Sequence, residues 1–410
     1  MVATVHDQSR YAPMHYCLAC GSGMLVTYLD LGEQPLANDV HDGTVELATF
    51  PLAVNVCESC FHSQLTHSID PDLLFRDYAY VSGTTTTLSA YFDEFVTRVE
   101  AAQPGHLRIC DIAGNDGTLL AKFAAHGHDV LNVDPARNLT EVSEANGVPT
   151  YCAYWNTVTA SELTDRYDVV VAMNVLGHVS DPLGFLIGCK SVLSDNGRIY
   201  IQTSQCEWLS TYQFDCVYAE HISYFTAQSF IRLVERAGLV IQEVTKVPVH
   251  GESYLWTLTA QGDRGDSVGE LLFNETTNGY YDDQTYENFG KSAESTATWL
   301  FQIVDEYRDS GYAPIGYGAA AKGNTLLNFS QVDLDCIVDD NPMKIGLLTP
   351  GRNIPIVGID HLQTIAEPLC IAVLAWNFYS EIRERITKVR NRKNDIFVCV
   401  FPDKTVEAAW

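Results

Sequence analysis

The chain has 410 residues, 46% of them apolar, and 52 Asp and Glu against 25 Lys and Arg, a formal net charge of -27. That length exceeds one ordinary core, so two or three domains are expected, and the apolar share suits a soluble globular protein. The acidity disfavours nucleic acid and anionic membranes as partners. No basic–apolar leader and no apolar run near 18 residues appears, so a cytoplasmic protein with no membrane contact is predicted.

The first element is a metal clasp. "CLAC" at 17–20 and "CESC" at 57–60 form two CxxC knuckles, which together can wrap one ion in four thiolates. A tetrahedral sulfur set favours zinc. Cys17, Cys20, Cys57 and Cys60 leave no open coordination position, which points to a structural ion. The loops and short strands between them hold hardly a core, and the metal would supply the missing stability. His15 and His62 flank the knuckles and read as ordinary surface residues. The other eight of the 12 cysteines lie mostly in apolar runs and read as buried free thiols. A secreted disulfide scaffold is out of place at this size. Residues 1–75 are assigned to this zinc-binding lobe.

A helical stretch, "TTTLSAYFDEFVTRVEAA", opens a second domain over 76–245. "HLRICDIAGNDGTLLAKFAAHGHDVLNVDP" then predicts strand, Gly-rich turn, helix and strand, with Leu119, Leu120, Phe123 and Ala124 on one helical face. Gly114 and Gly117 let the backbone approach a ligand closely. Asp111 closes the first strand. Asp134 ends the second, where a carboxylate can accept both ribose hydroxyls of an adenosine. Two further strands, "YDVVVAMNVLGHV" and "GRIYIQT", flank the helix "DPLGFLIGCKSVL". The alternation predicts a parallel, doubly wound α/β sheet that binds a nucleoside.

"VYAEHISYFTAQSF" follows, with Glu220 beside His221, Tyr218 before and Tyr224 after. Thr226 reads as the N-cap of the next helix, which would tether the segment to rigid structure. "VPVHGESYLWTLT" reads as a strand with a polar corner at His250 and Ser253. A long helix over "DDQTYENFGKSAESTATWLFQIVDEYRDSG" leads into a second α/β domain, assigned to 246–410. Its "GYGAAAKGNTLLN" turn carries Gly316, Gly318 and Lys322, but it is neither a P-loop nor a full dinucleotide motif.

"CLAC…CESC", "DIAGNDGTLL", "NVDPARN", "AMNVLGHVSDP", "YAEHISYF", "GYGAAAKGNTLLN" and "VDDNPMKIGLLTPG" together resemble the zinc-containing, S-adenosylmethionine-dependent C-methyltransferases of deoxysugar biosynthesis. The resemblance covers nearly the whole chain. It implies a zinc-binding lobe, a class I methyltransferase domain and a Rossmann-like carboxyl-terminal domain. It also implies methylation of a ring carbon beside a ketone in a nucleotide-linked sugar, most often C3 of a 4-keto-2,6-dideoxy sugar. By the same resemblance Asp111, Gly114, Asn115, Asp116 and Gly117 line the cofactor pocket and Asp134 holds the ribose. Asn174 and His178 lie on the cleft wall. Tyr218, Glu220 and His221 match the family's Tyr-x-Glu-His catalytic segment, and His250 and Ser253 lie near the sugar. Ala113-Gly114 departs from relatives, many of which read Gly-Ala or Gly-Ser there.

The chemistry sets its own requirement. A carbon beside a ketone becomes a nucleophile by losing a proton, and His221 is the expected base. A gap on the order of 10 pKa units to the carbon acid is worth about 14 kcal/mol, so donors or a cation must meet the enolate oxygen. Tyr224 and His250 are rival bases, and Tyr218 is a candidate donor to the ketone. Glu220 could orient an imidazole, but residues adjacent on one strand, as Glu220 and His221 would be, point oppositely, so a sugar hydroxyl or an amide from another loop is its alternative partner. Lys322, Lys344 and Arg352 are expected to grip the nucleotide diphosphate. An O- or N-methyltransferase would use the same cleft without an enolate and stays open, as does a non-enzymatic zinc protein. A monomer or loose homo-oligomer is expected.

Overall fold

The computed structural model describes residues 10–76, 86–204, 207–249, 251–390 and 392–408. The run Tyr167–Met173 (YDVVVAM) has no polar alternation, so both faces must be covered, and it lies near the middle of a seven-stranded sheet. In spatial order that sheet runs Val240–Val247, Ser253–Thr259, Leu193–Ser204, Tyr167–Met173, Arg108–Ile112, Asp129–Val133 and Thr150–Tyr151. The last five pair in parallel, and the first two add an antiparallel edge. The order reverses beside Arg108–Ile112, which is where an open α/β sheet binds its ligand. This is the class I methyltransferase Rossmann-like arrangement.

Ser253–Thr259 belongs to this sheet, pairing with Leu193–Ser204 through Trp256 opposite Ile201. The expected domain boundary at 245/246 therefore falls inside the sheet. Ser253, from the polar corner of "VPVHGESYLWTLT", opens its strand opposite Val247, and period-2 patterning alone does not reveal a strand's partner.

The zinc lobe contributes a four-stranded sheet ordered Ser223–Tyr224, Ser63–Leu65, Thr49–Cys57 and Leu25–Pro35. Its outermost strand comes from the second domain's candidate catalytic segment. Helix Asp283–Asp309 buries Tyr286, Phe289, Ala293, Ala297, Leu300 and Val304 at helical spacing, and ties the lobe to the carboxyl-terminal domain. Gly290 lets it approach closely, because a Cβ there would lie 2.3 Å from the Tyr28 carbonyl oxygen. The carboxyl-terminal sheet runs Ile356–Val357, Cys336–Val338, Ala313–Tyr317, Leu369–Val373, Ile396–Cys399 and Thr405–Ala408. It is parallel except for the last strand. Among the described residues no helix is long and apolar enough to cross a membrane.

Candidate active site

The turn after Arg108–Ile112 is tightly wound. Ala113 and Asn115 both take φ of 56°, and Gly117 (φ 73°) starts helix Thr118–Ala125. Such backbone concentrates at functional turns because it costs energy elsewhere. Gly114 has no room for a side chain: a Cβ would lie 2.6 Å from Asn132 Oδ1 and 2.8 Å from Asp111 Oδ2. Its N–H donates to Asn132 Oδ1 at 3.1 Å. Asp134 accepts from the N–H groups of Asn115 (2.9 Å) and Ala136 (2.8 Å), and Asp116 accepts from that of Thr118 (3.1 Å). Burial raises the carboxyl pKa of Asp111 and of Asp134, and the charge of Asp134 adds to the rise at Asp111. Asp111 Oδ1 and Asn174 Oδ1 are buried with no hydrogen-bond partner among the described residues. Buried acceptors left without donors are costly. A ligand bearing an ammonium, a sulfonium and ribose hydroxyls supplies the missing positive charge and donors, so these residues fit S-adenosylmethionine.

Residues 218–221 form a turn, closed by the His221 N–H donating to the Tyr218 carbonyl at 2.9 Å. The segment is thus not a strand, and strand alternation does not govern Glu220 and His221. His221 Nδ1 lies 2.8 Å from the Cys216 carbonyl, which fixes that nitrogen as the N–H. Nε2 is then an acceptor, and the Tyr218 hydroxyl stands 2.6 Å from it. His178 Nδ1 reaches the Glu220 carbonyl at 2.6 Å, and its ring meets that of His221 edge-on at 5.0 Å. Burial lowers the pKa of both imidazoles, that of His221 most strongly, so both are neutral. Glu220 Oε1 accepts from Asn38 Nδ2 at 2.9 Å, and Oε2 is buried without a partner among the described residues. Burial raises this carboxyl's pKa. Tyr224 donates to the Cys216 carbonyl at 3.3 Å, and burial lifts its phenol well above the ordinary value. As a base it is the poorer fit. His250 lies outside the described residues. Ser253 is buried and donates to the Val249 carbonyl at 3.0 Å.

The four clasp cysteines converge, with Cys17–Cys60 and Cys20–Cys57 sulfurs 3.6 Å apart and all four within 4.8 Å of one another. A zinc tetrahedron with bonds of about 2.3 Å has sulfur–sulfur edges of roughly 3.8 Å, so the set fits zinc. The chain just past Cys60 then pairs with the candidate catalytic segment. Leu65 N–H donates to Ile222 O at 2.9 Å, His62 Nε2 lies 3.2 Å from Ser223 Oγ, and Thr226 Oγ1 reaches Phe61 O at 3.4 Å. His62, expected at the surface, is completely buried, because the zinc lobe packs against this segment. Asn38 and His62 carry no local sequence signal for this role. Only the pairing of strands far apart in the chain brings them here.

The three expected phosphate cations have different partners. Lys344 Nζ donates to the Ala319 carbonyl at 2.6 Å. Arg352 pairs with Asp333 and bonds Gln331 Oε1 at 2.9 Å. Lys322 lies 4.9 Å above the Trp376 ring, whose Nε1 donates to the buried Asp215 at 2.7 Å. Neither Asp215 nor Trp376 was singled out from sequence. The cue was weak: an acid in the apolar run "QFDCVY".

Three family models match the chain in order: a zinc-binding domain over residues 17–75, a methyltransferase domain over 85–244 and a C-methyltransferase C-terminal domain over 248–402. C-methyltransferase NovU of Streptomyces niveus is 29% identical over 392 residues, covering 92% of this chain and 93% of that protein. A ubiquinone biosynthesis O-methyltransferase of Bradyrhizobium diazoefficiens is 27% identical over 174 residues, 39% of this chain and 68% of its own length.

Proposed function

The chain belongs to the zinc-containing, S-adenosylmethionine-dependent C-methyltransferases, and from that premise we propose its substrate and its base. The substrate is a nucleotide-linked 4-keto-deoxysugar, methylated at C3, and the base is His221. The sequence resemblance supports the sugar. The observation that carries the mechanism is the hydrogen-bonded line from the Cys216 carbonyl through His221 to the Tyr218 hydroxyl.

In this reading the Cys216 carbonyl holds His221 in the tautomer whose Nε2 lone pair faces the cleft. A substrate C–H takes the place of the Tyr218 hydroxyl, and that hydroxyl turns to the neighbouring ketone oxygen as donor. Glu220 Oε2, held in place through Asn38, accepts a sugar hydroxyl. Asp111, the 114–117 turn, Asp134, Asn174 and His178 hold the cofactor. S-adenosylmethionine, when bound, supplies an electrophilic methyl group on a positive sulfur. Cys17, Cys20, Cys57 and Cys60 hold one structural zinc, and the carboxyl-terminal domain closes over the sugar nucleotide.

The test uses a panel of 4-keto nucleotide sugars and isotopically labelled methyl donor, with the label located by NMR. A carbon-bound methyl beside the ketone is expected, and label on oxygen or nitrogen would overturn the reading. In deuterium oxide the same carbon should exchange its hydrogen. His221→Asn should leave cofactor binding nearly intact by calorimetry while exchange and methylation both fall by about 10²–10⁴-fold. Unchanged turnover would move the base role to another group.

A further inference from the structure

His221 is neutral and well buried, which makes it a weak base for a carbon acid. Burial is the main cause of its low proton affinity, and the neighbouring His178 imidazole and the charge of Lys322 lower it further. A weak base can enolise a ketone only if the oxygen that gathers charge is stabilised strongly. His178 and His221 offer no positive charge there. Tyr218 offers one neutral hydrogen bond.

The carboxyl-terminal domain docks a cation at this place. Lys322 and Thr325 stand one turn apart on helix Ala321–Ser330. Thr325 Oγ1 donates to the Val217 carbonyl at 2.8 Å, the residue before Tyr218. Trp376, from the turn after strand Leu369–Val373, donates its indole N–H to Asp215 and presents its ring face to Lys322. Asp215 is one residue before Cys216, whose carbonyl holds His221. The ammonium thus lies over the indole, and its charge reaches both Asp215 and His221. Lys322 has no ion-pair partner among the described residues, in a chain with twice as many acids as bases. Asp215 is 1% exposed, and its Oδ1 is buried without a partner among the described residues. Burial raises the Asp215 carboxyl's pKa, and the charge of Lys322 works against that rise. Lys344, by contrast, donates to a backbone carbonyl and Arg352 pairs with Asp333.

We propose that Lys322 is a catalytic residue: its ammonium faces the ketone oxygen of the substrate and stabilises the enolate, with Trp376 and Asp215 as positioning residues. This rests on the C-methyltransferase reading above and replaces the diphosphate role expected for Lys322. In the step, the C3–H bond breaks and its proton goes to His221 Nε2. The bonding pair becomes the carbon–carbon π bond, and the carbonyl π pair moves onto oxygen beside Lys322. Nothing is oxidised or reduced. On methyl transfer the oxygen's pair would re-form the carbonyl and the carbon–carbon π pair would make the bond to the methyl group, while the carbon–sulfur bonding pair of the donor would leave on sulfur as a neutral thioether.

The experiment measures C3 hydrogen exchange in deuterium oxide. The substrate is a thymidine-diphosphate-linked 4-keto-2,6-dideoxy sugar at saturation, with S-adenosylhomocysteine present so that no methyl transfer occurs. Calorimetry gives the affinity for thymidine diphosphate alone and for S-adenosylmethionine. Lys322→Met should lower the exchange rate about 10²–10³-fold, the usual range for loss of an oxyanion donor, with both affinities unchanged. Lys322→Ala should regain exchange as ethylammonium is added, a rescue that a merely structural role would not show. Intact S-adenosylmethionine binding in both variants certifies folding. A weakened thymidine diphosphate affinity with unchanged exchange would overturn the proposal and return Lys322 to the phosphates. Unchanged exchange with no affinity change would overturn it as well. Absence of exchange in the wild-type enzyme on any 4-keto sugar would instead strike at the C-methylation reading itself.

Discussion

Both large sheets put a Gly-rich turn and an acid at the carboxyl ends of adjacent parallel strands, but they treat the polar atoms differently. In the carboxyl-terminal sheet Asp339 accepts the N–H groups of Ala319 (2.7 Å) and Asn341 (2.8 Å), and Lys344 takes the Ala319 carbonyl. Its most buried acid, Asp395, pairs with Arg390 at 3.0 Å with both side chains 2% exposed. The glycines there serve packing: a Cβ on Gly323 would lie 2.9 Å from Leu374 Cβ. At the central sheet Asp111, and in the 218–221 turn Glu220, each keeps a buried oxygen with no partner among the described residues, and neither carboxyl owes its shift to a Lys or Arg. Glycine plus acid therefore does not distinguish a ligand cradle from a self-satisfied turn. The balance of donors and acceptors does.

The zinc lobe is what the two sheets share. It pairs with the proposed catalytic segment through Leu65 and with the carboxyl-terminal domain through His41, whose carbonyl takes the Leu348 N–H at 2.7 Å. Breaking it should have the largest effect. Cys57→Ser should cost most of the metal's folding contribution, about 10 kcal/mol in small zinc domains, against a total stability of roughly 5–15 kcal/mol. Metal analysis should find less than one zinc per chain, and amide hydrogen exchange should show lost protection at 218–226. Full zinc content with a protected segment would show that the lobe does not support the site.

The contrast between the sheets is sharpened by one pair of variants. Asp134→Ala removes a carboxylate that organises the cofactor turn and should weaken S-adenosylmethionine binding by roughly 10–100-fold, as expected for hydrogen bonds to a charged group. Asp339→Ala, at the matching position of the other sheet, should leave that affinity unchanged and cost only about 1–3 kcal/mol of stability, read as a lower denaturation midpoint. Equal losses of cofactor affinity would erase the distinction.

Much of this was legible in the chain itself. Four cysteines in two knuckles, the unbroken run of Tyr167–Met173 and the Gly114–Gly117 turn each carry their constraint locally, through ligand chemistry, burial on both faces or backbone conformation. The Tyr218–His221 turn was legible as a segment but not as a geometry. Its shape comes from a strand pairing with residues 63–65 and a carbonyl at Cys216, neither visible in local periodicity. That strand Ser253–Thr259, beyond the boundary at 245/246, joins the central sheet was not legible, because an antiparallel edge strand looks the same whichever sheet receives it. Lys322 was noticed as a scarce positive charge, but its neighbours Asp215 and Trp376 are more than a hundred residues away from one another in sequence.

The smallest expected effect follows from the unpaired acid of the central sheet. Burial, then the charge of Asp134, raises the Asp111 pKa, so part of the free protein carries a protonated Asp111 at pH values where an exposed carboxyl is fully ionised. A cationic ligand favours the carboxylate and lowers that pKa on binding, so binding releases protons. Affinity for S-adenosylmethionine should therefore rise with pH until the free-protein pKa is passed and then level off. Calorimetry in buffers of different ionisation enthalpy counts the protons released. Asp111→Asn should flatten the profile, which also separates Asp111 from the neutral His178 nearby, since a protonated imidazole would oppose the ligand at low pH in either protein. A wild-type profile that is flat, with no buffer-dependent heat, would mean that Asp111 faces no positive charge and that the orphaned oxygen belongs to the fold.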